Sequence, residues 1–306
     1  MRMAMIGSLE VSVIGLGCNN FGRALDQAGT NEVVAKCLDV GINFFDTASN
    51  YGEARSEAYL GNALGSHRDD VVVATKFGLA IPGFDQSGGA RPEYVRAAIE
   101  RSLTQLQTDR IDLFQLHFPD PDTPIAETLG AMSELVDEGK VIEIGCSNLN
   151  AEQMAEAAAE SRRLGVARFV SNQIEYSMVN REVESNGLTE VAQAEDFALL
   201  PFYPLACGLL TGKKRAGKPV EGRLNMDRYE RFLTDDNYTV TERLRAFAER
   251  VGQEMPVVAL AWLLAQPTVP SVTPGATKPE QVVSNARASE WSPNAEELEE
   301  LAAICS

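Results

Sequence analysis

The chain has few of the residues that build metal centres and covalent frameworks. Only two histidines, His67 and His117, occur in 306 residues. That count is too low for a histidine-rich metal site and removes most metallohydrolase readings. The five cysteines, at positions 18, 37, 146, 207 and 305, are isolated, odd in number and without a C-x-x-C pair. Neither a disulfide framework nor a zinc site is expected from them. Positive charge is also scarce, with 27 Lys and Arg against 44 Asp and Glu, a net charge of −17. Such a surface repels phosphate backbones and anionic lipid, which argues against nucleic-acid and membrane partners. No apolar run is long enough to cross a bilayer, and "MRMAMIGSLEVSV" lacks the apolar core and cleavage site of a signal peptide. A cytoplasmic location is expected. No internal repeat, low-complexity tract or composition break divides the chain, so residues 1–306 are expected to form a single domain.

What is present is alternation. Eight short runs read as buried strands: 11–17, 43–46, 71–76, 111–117, 142–147, 169–175, 197–203 and 270–275. They are close to continuously apolar, as strands covered on both faces must be. Between them lie helical patterns at 30–40, 92–107, 124–139, 151–164, 181–195, 239–252, 256–266 and 279–289, and 294–303 reads as a surface helix. In 92–107, Val95, Ile99, Ser102 or Leu103 and Leu106 fall on one stripe behind Pro92. For 30–40, a Thr or Asn cap at the start and Gly41 at the end are expected. This order predicts an α/β fold, a (β/α)8 TIM barrel, with a doubly wound sheet as the alternative. Two long connections, 77–91 and 206–238, are expected to lie over the C-terminal face of the strands, where such barrels keep their chemistry.

Polar residues close several of these apolar runs. "GINFFDTASNYG" ends a buried strand on Asp46 and sets Tyr51 five residues later. A carboxylate beside a core is costly unless a cation or donor meets it. Lys76, ending "VVVATK", is the expected partner, and His117 ends "IDLFQLH". Taken singly, each residue reads most simply as a turn, cap or solvated end. Together at successive strand ends they suggest a site.

The motifs "FFDTASNYG", "ATK", "TDRIDLFQLHFPD", "IGCSN", "NQIEYS", "PFYPLACGLLTGK" and "PGATKPEQVVSN" resemble, in order and across residues 11–285, those of the aldo-keto reductase superfamily. Its members are (β/α)8 barrels that reduce aldehydes and ketones to alcohols with NADP(H) or, less often, NAD(H). The resemblance implies that Asp46, Tyr51, Lys76 and His117 are the catalytic tetrad. The physics agrees, since a tyrosine with a pKa of about 10 is a poor acid at neutral pH until an ammonium favours its phenolate. Asp46 would hold Lys76, and His117 would orient the carbonyl oxygen.

The cofactor side is less direct. "GLGCNNFG" at 15–22 is rich in glycine, but a G-x-G-x-x-G fingerprint would need glycine where Asn20 stands, which disfavours a Rossmann fold. The resemblance implies that Gly17, Cys18 and Asn19 approach the cofactor, and that Ser147, Asn148 and Gln173 bind the nicotinamide carboxamide. At "PFYPLACGLLTGK" it implies cofactor contacts from Phe202, Tyr203, Pro204, Leu205, Gly208 and Lys213. Aligned on Pro204 and Leu205, the stacking aromatic is Phe202 and Tyr203 replaces a serine; which of the two faces the ring stays open. The loop 213–223 carries Lys213, Lys214, Arg215, Lys218 and Arg223 against Glu221 alone, a local reversal of charge suited to a pyrophosphate. Gly275, Ala276, Thr277, Lys278, Gln281 and Asn285 would line the adenosine 2′-phosphate pocket at a helix start. Thr277 stands where many relatives have Arg; NADP(H) remains the expectation over NAD(H), with no metal. Substrate walls are expected from Asn19, Asn20, Phe21, Tyr51, Phe118 and the loop 77–91. The expected function is NADP(H)-dependent reduction of a small-molecule carbonyl compound. The alternatives are an NADP(H)-binding regulatory subunit of channel β-subunit type, and a barrel isomerase or hydrolase that uses no nucleotide. Substrate and oligomeric state are not legible.

Overall fold

The computed structural model describes residues 1–81, 83–84, 87–213, 224 and 226–305. The chain opens with a hairpin, β1 (Met3–Ile6) and β2 (Leu9–Ser12). Seven strands follow in one parallel sheet whose spatial order matches the chain order: β3 (Leu16–Gly17), β4 (Phe44–Asp46), β5 (Val72–Phe77), β6 (Ile111–Leu116), β7 (Val141–Ser147), β8 (Phe169–Glu175) and β9 (Ala198–Phe202). Helices occupy the connections: α1 (Gln27–Asp39), α2 (Tyr51–Ala54), α3 (Ser56–Leu64), α4 (Pro92–Leu106), α5 (Ile125–Asp137), α6 (Ala151–Leu164), α7 (Leu188–Ala194), α8 (Asp235–Arg250), α9 (Met255–Leu264), α10 (Pro279–Ala286) and α11 (Ala295–Ile304).

Local chemistry sets the helix ends. Asp26, rather than Thr30 or Asn31, caps α1 by accepting from Gly29 N, and Gly41 takes the left-handed turn behind it. Pro92 starts α4, and a capping box of Asn150 and Gln153 starts α6 before Gly165 ends it. Only 188–194 of the helix expected at 181–195 forms, because Gly187 in the left-handed region separates it from a short 3-10 turn at Glu182–Glu184.

The sheet curls. Phe44, Ala74, Leu113, Val170 and Leu200, drawn from β4, β5, β6, β8 and β9, share one buried cluster, which strands so far apart in the sheet can do only around a concave face. Ile6, Leu9 and Val11 of the hairpin complete this cluster and floor it from below. The hairpin turn needs glycine at position 7: its φ is +57°, and a Cβ there would lie 2.6 Å from Glu143 Oε1. Other alternate residues, such as Phe45, Val73 and Phe114, point outward into the larger core beneath the helices.

Two strand expectations are corrected. Residues 11–17 are not one strand, because the hairpin takes its beginning and β3 only its end. The run 270–275 forms isolated parallel bridges, Ile14 to Val272 and Gly17 to Gly275, rather than an eighth strand. Pro267, Pro270 and Pro274 supply no N–H, so this segment cannot complete a ladder. It still touches both edges: Val272 N donates to Val13 O and Gly15 N to Val272 O, while Leu199 N of β9 donates to Thr268 O. The observed sheet is thus seven-stranded and curled, with a proline-rich segment across the gap, rather than the closed eight-stranded barrel expected. No helix of the described residues is long and apolar enough to cross a membrane.

Candidate active site

Above the apolar floor the same strands turn polar. Along β4, β5 and β6 the inner-face residues after Phe44, Ala74 and Leu113 are Asp46, Lys76 and Gln115. Lys76 has no exposed surface, and its ammonium donates to Asp46 Oδ1 at 2.8 Å, Asp46 Oδ2 at 2.9 Å and Thr47 O at 2.8 Å. It lies 5.0 Å from the centre of the Tyr51 ring and hydrogen-bonds the Tyr51 hydroxyl. An ammonium has no lone pair, so the phenol oxygen is the acceptor and its own proton is not spent on Lys76. Burial alone would push the ammonium toward neutrality, but Asp46 and Tyr51 together outweigh it and hold Lys76 above the ordinary lysine value.

Tyr51 comes from the turn after β4. Gly52, Glu53 and Ala54 all have positive φ, a left-handed coil that bends the chain back into α3. Glycine is required at 52, where a Cβ would meet Phe21 O at 2.0 Å. His117 follows β6, tied by its N–H to Phe77 O, and its ring meets that of Tyr51 edge to face at 5.9 Å. Its imidazole is pushed down from 6.5 to about 3, first by burial and then by the Lys76 charge, so it is neutral at physiological pH. Nδ1 of that ring is buried without a hydrogen-bond partner among the described residues. Asp46, Tyr51, Lys76 and His117 are therefore brought together.

A second group adjoins them. Ser147 Oγ donates to Gln173 O at 2.9 Å, and Asn148, at φ +63°, donates through Nδ2 to Ser147 Oγ at 2.9 Å and His117 O at 3.0 Å. Gln173 Nε2 is a buried donor with no partner among the described residues. A nicotinamide carboxamide needs such a donor beside side-chain oxygens, so these residues fit the group. Phe202 has the parity of Ala198 and Leu200, which puts it on the inner face. Tyr203, at φ +51°, instead packs outward on Tyr229 and Phe232, at 5.7 and 6.3 Å between ring centres. Positive φ at Ala206, Cys207 and Gly208 turns the chain after Pro204 and Leu205.

Gly17 pairs with Gly275, so the first and last loops meet, and Asn20 Nδ2 donates to Ala276 O at 3.2 Å. Gln281 Oε1 accepts from Thr277 N at 2.7 Å and its hydroxyl at 3.2 Å. Lys278 is exposed at the start of α10, and Asn285 is buried within it. Three expected contacts fit poorly. Phe21 is wholly buried in the outer core and offers no wall to a substrate. Cys18 is equally buried, with Sγ on Leu16 O, its N–H donating to Asp46 O and its carbonyl accepting from Ser56 Oγ, so neither side chain nor backbone faces outward. Asn20 is engaged in tying the loops. Asn19 is half-buried and Phe118 is exposed and stacked on His117 at 5.2 Å, both compatible with a mouth. Lys213 is exposed, whereas Lys214, Arg215, Lys218, Glu221 and Arg223 of the basic loop fall outside the described residues.

Three supporting residues escaped the sequence reading. Gln115 reaches Asp46 Oδ1 at 3.4 Å. A glutamine two before His117 in an apolar strand was the available signal. Glu57 on α3 and Arg101 on α4 pair at 2.8 Å behind Tyr51, and no apolar strand end marks either of them.

The sequence model described as the aldo/keto reductase family matches residues 13–305. Among curated proteins, the chain is 34% identical over 289 residues to a probable voltage-gated potassium channel subunit beta of Oryza sativa subsp. japonica, covering 92% of this chain and 88% of that one. It is 32% identical over 294 residues to L-glyceraldehyde 3-phosphate reductase of Escherichia coli (strain K12), covering 92% and 84%. To aldo-keto reductase YhdN of Bacillus subtilis (strain 168) it is 33% identical over 306 residues, covering 97% and 90%.

Proposed function

Because the chain belongs to the aldo/keto reductase family, we propose that it is an NADP(H)-dependent carbonyl reductase with Tyr51 as the proton donor. The observation that carries this is the buried Lys76 ammonium, held by both oxygens of Asp46 and bonded to the Tyr51 hydroxyl. A hydride acceptor develops negative charge on its carbonyl oxygen, which must be protonated or stabilised in place. Tyr51 delivers a proton to that oxygen while the adjacent ammonium stabilises the phenolate left behind. Neutral His117 donates a hydrogen bond that orients the carbonyl. Asp46 keeps Lys76 charged and fixed, and Gln115, two strands away on β6, reaches Asp46 Oδ1 at 3.4 Å.

The reading takes residues 1–306 as one (β/α)8 domain, with 268–275 as a degenerate eighth strand, and locates it in the cytoplasm. When bound, the nicotinamide supplies the hydride. Ser147, Asn148 and Gln173 would hold its carboxamide, and Phe202, on the inner face, is favoured over Tyr203 as the stacking aromatic. Gly17 would approach through its backbone and Asn19 through its side chain, while Cys18, bonded to Asp46 O and Ser56 Oγ, anchors the loop between them. Pro204, Leu205, Gly208 and Lys213 would flank the pyrophosphate, and Gly275, Ala276, Thr277, Lys278, Gln281 and Asn285 the adenosine phosphate.

The test combines NADPH consumption across a panel of aldehydes and ketones with nicotinamide fluorescence for binding. Tyr51→Phe is expected to lower turnover by about 10²–10⁴-fold while leaving NADPH affinity near that of the parent. Equal turnover in the variant refutes the proton-donor role. A second reading is favoured by the 34% identity to a protein named as a channel beta subunit: a cofactor-binding regulatory subunit. It predicts NADPH binding with no turnover on any member of the panel.

A further inference from the structure

The turn that carries Tyr51 is held from outside by a buried ion pair. Arg101, on α4, donates through Nη1 to Glu57 Oε2 of α3 at 2.8 Å. The same guanidinium reaches Ala54 O at 3.3 Å through Nη2 and Ser49 O at 3.5 Å through Nη1, the second at the outer limit of a hydrogen bond. These two carbonyls bracket Tyr51. Glu57 in turn accepts from Thr75 Oγ1 at 2.7 Å, and Thr75 precedes Lys76 in β5. One fork thus touches both flanks of Tyr51 and, through one carboxylate, the strand that carries Lys76. Glu57 is 1% exposed and the Arg101 side chain 15%, with the Phe84 ring centre 5.9 Å from the guanidinium. The left-handed backbone at Glu53 and Ala54 is one that residues with side chains rarely adopt and that surroundings must enforce. Arg55 also bonds Gly52 O, but it belongs to the same turn and moves with it. Arg101 is the tie to another helix.

We propose that Arg101, paired with Glu57, is a positioning residue that fixes the Ser49–Ala54 turn and thereby holds the Tyr51 hydroxyl against Lys76. The inference rests on the reductase reading for its kinetic consequence, but not for its structural one. Planarity matters as much as charge: a guanidinium can serve a carboxylate and two carbonyls in one plane, whereas a lysine ammonium in its place cannot span them.

The experiment uses the full chain and two variants, Arg101→Met and Arg101→Lys. The Tyr51 phenolate is followed by its ultraviolet absorbance during pH titration, with the same titration of Tyr51→Phe subtracted; turnover, KM and NADPH affinity are measured in parallel. Loosening the turn draws the phenol away from the ammonium. Both variants should therefore move the Tyr51 titration upward by about one unit, and lower kcat by about 10–100-fold with KM and NADPH affinity near the parent's. A parent-like titration in either variant overturns the proposal, as does full rescue by Lys, which would leave neutralisation of Glu57 as the whole role. Should Arg101→Met not fold, Arg101→Lys carries both readouts. Should the parent reduce no carbonyl compound, the reductase reading fails while the titration still decides this one.

Discussion

In β4, β5 and β6 the inner-face residues Phe44, Ala74 and Leu113 lie one pleat repeat below Asp46, Lys76 and Gln115. Two residues of rise, roughly 7 Å, separate a dry floor from a rim that carries charge. The floor is apolar and sealed from beneath by the hairpin, so it contributes packing alone. The rim buries a lysine and an aspartate, each of which would be costly without the other, beside a glutamine and a neutral histidine. The comparison shows why chemistry sits at one end of these strands. The floor supplies the rigidity that lets a buried ion pair keep its geometry, and the rim uses that geometry.

The sharpest way to break the contrast is Lys76→Met. It leaves Asp46 buried without its cation and should cost about 3–5 kcal/mol of stability, read as a fall in urea midpoint, together with loss of carbonyl reduction. Adding Asp46→Asn removes the stranded charge and should recover much of the stability while the activity stays lost. That outcome separates what the rim costs from what it does. Next comes the floor: Leu113→Ala should cost about 2–5 kcal/mol, yet leave kcat near the parent value at temperatures where the variant is folded. A large fall in kcat there would mean that floor and rim are not separable.

The effect expected to be smallest at neutral pH concerns His117. Its folded-state pKa, about 3, lies below its ordinary value of 6.5. Between those values the unfolded chain binds the extra proton, so stability is lost as pH falls from 6.5 toward 3. His117→Gln should flatten that part of the stability curve by an amount on the order of a few kcal/mol at the acid end. Turnover of the parent should show no inflection from His117 near pH 6.5.

Much of the rim was legible because a polar residue at the end of an apolar run is conspicuous, and four such residues fell on successive strand ends or loops. Strands β4 to β9 were legible for the same reason, each being a short apolar run with sharp edges. The hairpin was not: "MAMI" and "LEVS" are too short to show a period, and the second was absorbed into the run 11–17. Helix α3 was missed because its approach, "YGEAR", holds a left-handed coil that sequence cannot announce. That omission also hid Glu57, and so Arg101, whose partners lie 44 to 52 positions away in the chain. Phe21 shows the reverse error. An aromatic among loop glycines suggested a wall, while the fold buries it under Gly52.

The proline-rich crossing at 268–275 bears on how the molecule assembles. Its contact with the first strands joins positions far apart in the chain: Ser271 Oγ donates to Ser12 O across 259 residues. Bringing such distant points together is entropically expensive until the intervening chain has already condensed. Neighbouring strands β4 to β9 can pair in sequence order, each closure being local. By that argument the joining of the two ends is expected late in folding, after the floor and the charged rim.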